Sequence, residues 1–98
     1  MTPALTFGGI MANTWKLYIL RCGDGSLYTG ITTDVEKRLA VHQSGKGAKY
    51  TRGRGPLEVV YREECGDQSA ALKRELEIKA LTREQKEMLI KMEKPEDS

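Results

Sequence analysis

The chain has 98 residues, of which 39% are hydrophobic and 31% charged, a balance that suits one globular domain and excludes a disordered chain. The formal net charge of +2 is too small to select a partner by itself, and no apolar run approaches the ~20 residues of a membrane span. Cys22 and Cys65 lie far apart with no CxxC pair, which excludes a cysteine-only metal site and reads as two reduced, half-buried thiols, with a disulfide or a reactive thiol as the alternative.

Met1 to Asn13 has no basic segment followed by an apolar core, so it is not a signal peptide. Residues 1–14 read as a flexible extension with Met11 as an alternative start, and the expected location is cytoplasmic. Residues 16–22 and 27–31 are rich in strand formers, and Gly23-Asp24-Gly25-Ser26 between them is a strong turn signal, so the pair predicts a β-hairpin. Thr33-Asp34-Val35-Glu36 has the form of a capping box and starts a helix running to about Ser44. Gly45 and Gly47 end it, and a glycine-rich basic loop leads to Gly55-Pro56. Leu57 to Arg62 predicts a third strand. Asp67 or Ser69 caps a second helix through Ala80, and Thr82 caps a third over residues 83–93. Residues 94–98 read as a disordered tail. The order β-β-α-β-α-α gives an α+β domain of residues 15–93 with a small sheet, antiparallel at the hairpin and covered by helices.

Some polar residues fall where the pattern asks for apolar ones. On the first helix Val35, Leu39 and His42 share one face, with Arg38 on its flank. On the second, Ala71, Leu72, Leu76 and Ile78 define the apolar arc, and Glu75 lies inside it, while Lys73, Arg74 and Glu77 take the other side. A carboxylate there is costly unless it is paired, for example with Lys79 or Arg38, or holds a hard cation such as Mg²⁺. Between Lys37 and Leu57 there is no acidic residue, but six lysines and arginines, among them Lys46, Lys49, Arg52 and Arg54, with Tyr50 interleaved. Basic side chains and an aromatic on a glycine-rich loop suit a nucleic-acid backbone. The bland alternatives are a snorkelling arginine, a satisfied core histidine and a solvated basic loop.

These residues carry a family resemblance. Lys16-Leu17-Tyr18 followed by Tyr28-Thr29-Gly30 on a hairpin resembles the signature of the GIY-YIG nuclease superfamily. With Ile31-Thr32, Arg38, His42, Gly45-Lys46-Gly47-Ala48 and Thr51, the segment is most similar to the small stand-alone bacterial members of YhbQ type, and also resembles the nuclease domain of structure-specific endonucleases. The match runs from about Trp15 to Ile90. It implies a three-stranded antiparallel sheet flanked by helices, and cleavage of nucleic-acid phosphodiesters, DNA before RNA, with one Mg²⁺ or Mn²⁺ ion and a link to DNA repair. Position by position, Tyr18 and Tyr28 match the signature tyrosines, Arg38 the arginine on the scissile phosphate, His42 a histidine one turn later, and Glu75 the metal-binding glutamate. Lys46, Lys49, Tyr50, Thr51, Arg52 and Arg54 are the expected nucleic-acid contacts. The chain departs from the pattern in the first triplet, which lacks its glycine and isoleucine. It has Ile31 where some members carry lysine, and its only asparagine is Asn13.

The implied mechanism has Tyr18 or Tyr28 activating a water, His42 taking the proton, Arg38 clamping the phosphate and Glu75 holding the metal. It requires both tyrosines on one sheet face. A three-residue turn, Asp24-Gly25-Ser26, meets that requirement and pairs Tyr18 with Thr32. Two other functions compete: a catalytically inactive nucleic-acid-binding module, and an interaction domain in which Glu75 and Arg38 pair in the core.

Overall fold

A computed structural model describes residues 14–47 and 49–93 of the chain; most of the expected N-terminal extension and the expected tail lie outside the described residues. Strand β1 (Trp15–Arg21) and strand β2 (Leu27–Thr32) lead to helix α1 (Val35–Gln43). A 3₁₀ turn (Lys49–Thr51) interrupts the basic loop, and β3 (Glu58–Gly66), α2 (Gln68–Lys79) and α3 (Arg83–Glu93) complete the order read from the sequence. The three strands form one antiparallel sheet in the order β2-β1-β3.

Because β1 is central and alternates, it feeds a core on each face. Leu17 and Ile19 face Ile78 of α2 and Ile90 of α3. Tyr18 and Leu20 face the other way, toward Val35 and Leu39 of α1. Cys22 is buried and Cys65 half-buried, both as free thiols.

The hairpin keeps the expected parity but shifts register. Tyr18 lies opposite Gly30, not Thr32. The connection spans residues 22–26 because Cys22 N–H donates to the Ser26 carbonyl and Gly25 N–H to the Cys22 carbonyl, each at 2.8 Å. Gly25 has φ of 88°, which a glycine adopts without strain, and Asp24 accepts from the Ser26 N–H and hydroxyl. A shift by two positions leaves every side chain on its face. β3 runs four residues beyond the predicted Arg62, pairing Glu64 with Lys16 and Gly66 with Trp15. Charges hid that extension: β3 is an edge strand, where exposed Arg62 and Glu64 discourage pairing with another chain.

Helix ends follow short polar side chains. Asp34, not the expected Thr33, caps α1 by accepting from Lys37 N–H, while Thr32 Oγ1 accepts from Asp34 N–H and settles the entry. Asp67 caps α2 through Ala70 N–H. Thr82 and Gln85 cap α3 reciprocally, each side chain accepting from the other's backbone N–H.

The inner face of α2 differs from the expected arc. Ala71 and Ile78 are buried, but Leu72 and Leu76 are 46% and 70% exposed. Residues 71, 74, 75 and 78 form the inward stripe instead. Arg74, assigned to the solvent side by its charge, turns in because Glu63 of β3 accepts from its Nε at 2.8 Å and Glu63 also accepts from the Tyr61 hydroxyl. A pre-positioned partner outweighed the apolar preference.

Thr29, in the middle of the second signature triplet, is buried, and its hydroxyl has no hydrogen-bond partner among the described residues. Replacing that orphan with a methyl of the same shape removes a desolvation cost of ~1 kcal/mol or more. Thr29→Val is therefore expected to raise the melting temperature by a few degrees in a thermal scan.

Candidate active site

The sheet and α1 together build a compact aromatic cluster. With Tyr18 opposite Gly30 and Leu20 opposite Tyr28, the two tyrosines are diagonal neighbours on one face. α1 docks on that face through Val35 and Leu39, which carries His42, one turn further, onto both rings. Ring centroids are 6.3 Å apart for Tyr18–Tyr28, 6.0 Å for Tyr18–His42 and 5.3 Å for Tyr28–His42. Tyr18 Oη lies 2.9 Å from His42 Nε2, and His42 Nδ1 lies 3.0 Å from Thr51 Oγ1. A continuous chain Tyr18–His42–Thr51 thus runs from the sheet through the helix into the basic loop. All three residues are at most 2% exposed.

Two glycines make room for it. A Cβ on Gly30 would sit 2.7 Å from Tyr18 Oη and 2.8 Å from its Cζ, so the phenol lies across bare backbone. A Cβ on Gly47 would collide with Nδ1 and Cα of His42. The glycine of the second signature triplet and a glycine of the basic loop therefore serve the same cluster.

Burial shapes the protonation of the cluster. The Tyr18 phenol is pushed up to about 12 by burial and then by neighbouring Tyr28, with Glu75 adding to the rise and Arg38 pulling against it. His42 is held below its ordinary value by burial and then by the Arg38 charge. Both effects favour the neutral forms. Arg38 and Glu75 are therefore electrostatic neighbours of Tyr18.

The His42 shift has a consequence for stability. Its folded-state pKa lies below the unfolded one, so its stabilising contribution is complete above about pH 6.5 and is lost as pH falls through the lower folded value. Glu87, bridged by Arg21 and Arg83 and held down to about 2, loses its own contribution only in more acid solution. Thermal melts from pH 7 to pH 5 are expected to show a fall that His42→Gln abolishes, with the Glu87 loss appearing below pH 4.5.

Glu75 is a half-buried carboxylate, its side chain 17% exposed, and Lys79 Nζ lies 3.1 Å from it. The ion pair foreseen as an alternative is thus present, with Lys79 rather than Arg38. Among the described residues no group of three or more histidine, cysteine or acidic side chains converges on a metal. One carboxylate still fits a single Mg²⁺ or Mn²⁺ ion, because such ions keep several waters and use one or two carboxylates together with substrate phosphates.

The basic loop divides. Lys46, Lys49 and Arg52 are exposed and free to meet phosphate. Thr51 corrects its expected role: it is turned inward to His42, because its 3₁₀ turn packs beneath the helix end, and its hydroxyl is closed to nucleic acid. Arg54 is part-exposed and pairs with Asp24 of the hairpin at 2.5 Å, while its carbonyl accepts from Gly23 N–H; this ties the loop to the β1–β2 turn. The Tyr50 side chain lies outside the described residues. Sequence reasoning missed the roles of Gly30 and Gly47 as contact surfaces. A glycine inside a strand was the available signal for Gly30. Nothing local marks Gly47 or the inward turn of Thr51.

Comparison with known proteins agrees with this geometry. The family model described as the GIY-YIG catalytic domain matches residues 14–88. UPF0213 proteins from Yersinia pestis (strain Pestoides F) and Yersinia pseudotuberculosis serotype IB (strain PB1/+) are each 58% identical over 76 residues, covering 78% of this chain and 80% of theirs. The solution NMR structure of the UPF0213 protein BH0048 from Bacillus halodurans is 47% identical with a TM-score of 0.55, covering 85% of this chain and 88% of that one. That of the protein EF2693 from E. faecalis is 44% identical with a TM-score of 0.57, covering 81% and 84%. None of these names states an activity. No helix among the described residues is long and apolar enough to cross a membrane. With the signature tyrosines on one face, the arginine and histidine of α1 beside them and a family match over most of its length, the chain belongs to the GIY-YIG nuclease domain family.

Proposed function

We propose that the protein is a cytoplasmic, divalent-metal-dependent nuclease that hydrolyses phosphodiester bonds of DNA, selects by structure rather than sequence, and serves DNA repair. Fold alone does not establish activity; the observation that carries the reading is the buried Tyr18–His42 hydrogen bond of 2.9 Å beside Arg38 and Glu75. Two free thiols suit a reducing compartment. The exposed cations Lys46, Lys49 and Arg52 supply sequence-independent attraction to phosphate.

Tyr18 is the better base of the two tyrosines because its buried hydroxyl lies 2.9 Å from His42 Nε2. A neutral phenol is a poor base, but it transfers the proton problem to the imidazole. As the attacking water gives a proton to the Tyr18 oxygen, Tyr18 passes its own to His42 Nε2, and the histidine becomes the cation. Its depressed pKa keeps it unprotonated and receptive at neutral pH. Tyr28, half-buried at the edge of the cluster, orients the water. Arg38 clamps the phosphoryl oxygens through charge-assisted hydrogen bonds. Glu75 would hold the metal, which supplies charge neutralisation at the phosphate and the leaving oxygen when bound.

The Glu75–Lys79 pair favours a second reading, a nucleic-acid-binding module without catalysis. The two separate cleanly when the purified protein meets labelled single-stranded, duplex and branched DNA and the matching RNAs. Cutting with Mg²⁺ or Mn²⁺, stopped by EDTA and restored by added metal, supports the nuclease. Salt-dependent binding with no cutting at any metal concentration supports the module.

A further inference from the structure

We propose that Thr51 is a positioning residue that selects the Nδ1–H tautomer of His42, so that the Nε2 lone pair faces the Tyr18 hydroxyl. The role of the tautomer in proton transfer rests on the nuclease reading; the tautomer itself does not. Three observations carry it. Thr51 Oγ1 lies 3.0 Å from His42 Nδ1, within hydrogen-bond range, and both residues are nearly inaccessible to solvent. Tyr18 Oη lies 2.9 Å from the opposite nitrogen. Gly47 lies so near the same Nδ1 edge that a Cβ there would collide with it, so the loop backbone confines the imidazole on the side of the threonine.

Both neighbours are hydroxyls that can donate or accept, but a phenol is the stronger donor and an aliphatic hydroxyl the stronger acceptor, which favours one arrangement. A neutral imidazole has one donor and one acceptor nitrogen, and the hydrogen bond made by one fixes the state of the other. A histidine free in water prefers the proton on Nε2. That form would point N–H at the Tyr18 oxygen and could not receive the phenol's proton. A threonine oxygen accepting from Nδ1–H reverses the preference and leaves Nε2 bare.

The placement also gives the loop a part in assembling the cluster. Thr51 closes the 3₁₀ turn that begins at Lys49 and is followed directly by Arg52, and both of those cations are exposed. Lys49 and Arg52, which suit phosphate, thus flank the same short turn that holds His42.

The test is long-range ¹H–¹⁵N NMR of the His42 ring at neutral pH in the wild-type protein, Thr51→Val and Thr51→Ser. A pyrrole-type Nδ1 and a pyridine-type Nε2 are expected in the wild type. Thr51→Val, of nearly the same shape, shifts both nitrogens toward the Nε2–H form, and Thr51→Ser restores the wild-type pattern. In cleavage the Val variant is expected to lose about 10–100-fold, the scale of lost outer-shell orientation at other sites, with the Ser variant close to wild type. A wild-type spectrum showing Nε2–H overturns the inference even if the Val variant does not fold. So does a folded Val variant with unmoved nitrogen shifts, or a Ser variant that shifts as far as Val. If the wild type cuts nothing, the nuclease reading fails, and the ring shifts still decide whether Thr51 sets the tautomer.

Discussion

Gly30→Ala is expected to disable the site although it adds a single methyl group. That methyl would sit 2.7 Å from the Tyr18 hydroxyl oxygen and 2.8 Å from its ring carbon, and no ordinary contact is that short. The 3.1 Å approach to the Tyr28 ring closes a second way out. The strand cannot yield easily, because β2 is hydrogen-bonded along β1 with Tyr18 opposite Gly30 itself. Tyr18 must therefore tilt, and its bond to His42 lengthens. Overpacking of this kind costs roughly 1–3 kcal/mol of stability, and a displacement of about 1 Å at a reacting group can cost ~100-fold in rate. Urea denaturation together with cleavage kinetics checks both effects. An alanine variant with wild-type rate and midpoint would show that the phenol does not need the bare backbone.

Removing the Tyr18 hydroxyl should have the larger effect on rate. Tyr18→Phe keeps the ring in its core but deletes the hydroxyl that lies 2.9 Å from His42 Nε2 and that the proposed mechanism uses to activate water. The expected loss is about 100–10,000-fold, the usual worth of a positioned acid–base group. Stability should fall by only ~1–3 kcal/mol, because one buried acceptor is left unpaired. His42→Ala should lose activity on a similar scale, and the two losses should not multiply in the double variant, since the residues act as a unit. The acid limb of the wild-type rate profile should fall below about pH 6.5, as His42 must be neutral to receive the proton and its pKa is depressed. A Tyr28→Phe variant with the greater loss would move the base to the other tyrosine.

Much of this was legible in the chain because local rules and the family pattern agreed. The hairpin, the three helices and their order follow from turn residues, caps and periodicity, while the family resemblance pointed to Tyr18, Tyr28, Arg38 and His42, and the fold brings the two tyrosines and the histidine into one cluster. Glu75 stood out by helical phase, and it does lie half-buried beside Lys79. What failed to show depends on partners distant in sequence. Arg74 faces inward only because Glu63, on another element, is there to receive it, so hydrophobicity placed Leu72 and Leu76 in the core instead. Thr51 resembled its basic neighbours in sequence, yet packing turned it to His42. The two-residue register shift of the hairpin was invisible to an argument from parity, which fixes the face and not the partner.

Under the proposed function Glu75 serves metal-assisted chemistry and not the fold. The Lys79 partner is half exposed, and such pairs are worth at most ~1 kcal/mol, whereas breaking a buried structural pair costs roughly 3–5 kcal/mol. The direct test compares wild type and Glu75→Ala in Mg²⁺ on branched and duplex DNA, with melts run on the same samples. The variant is expected to stop cutting while its metal-free melting temperature stays close to that of the wild type. A variant that cuts normally, or one that loses activity only because it has lost several kcal/mol of stability, would contradict it.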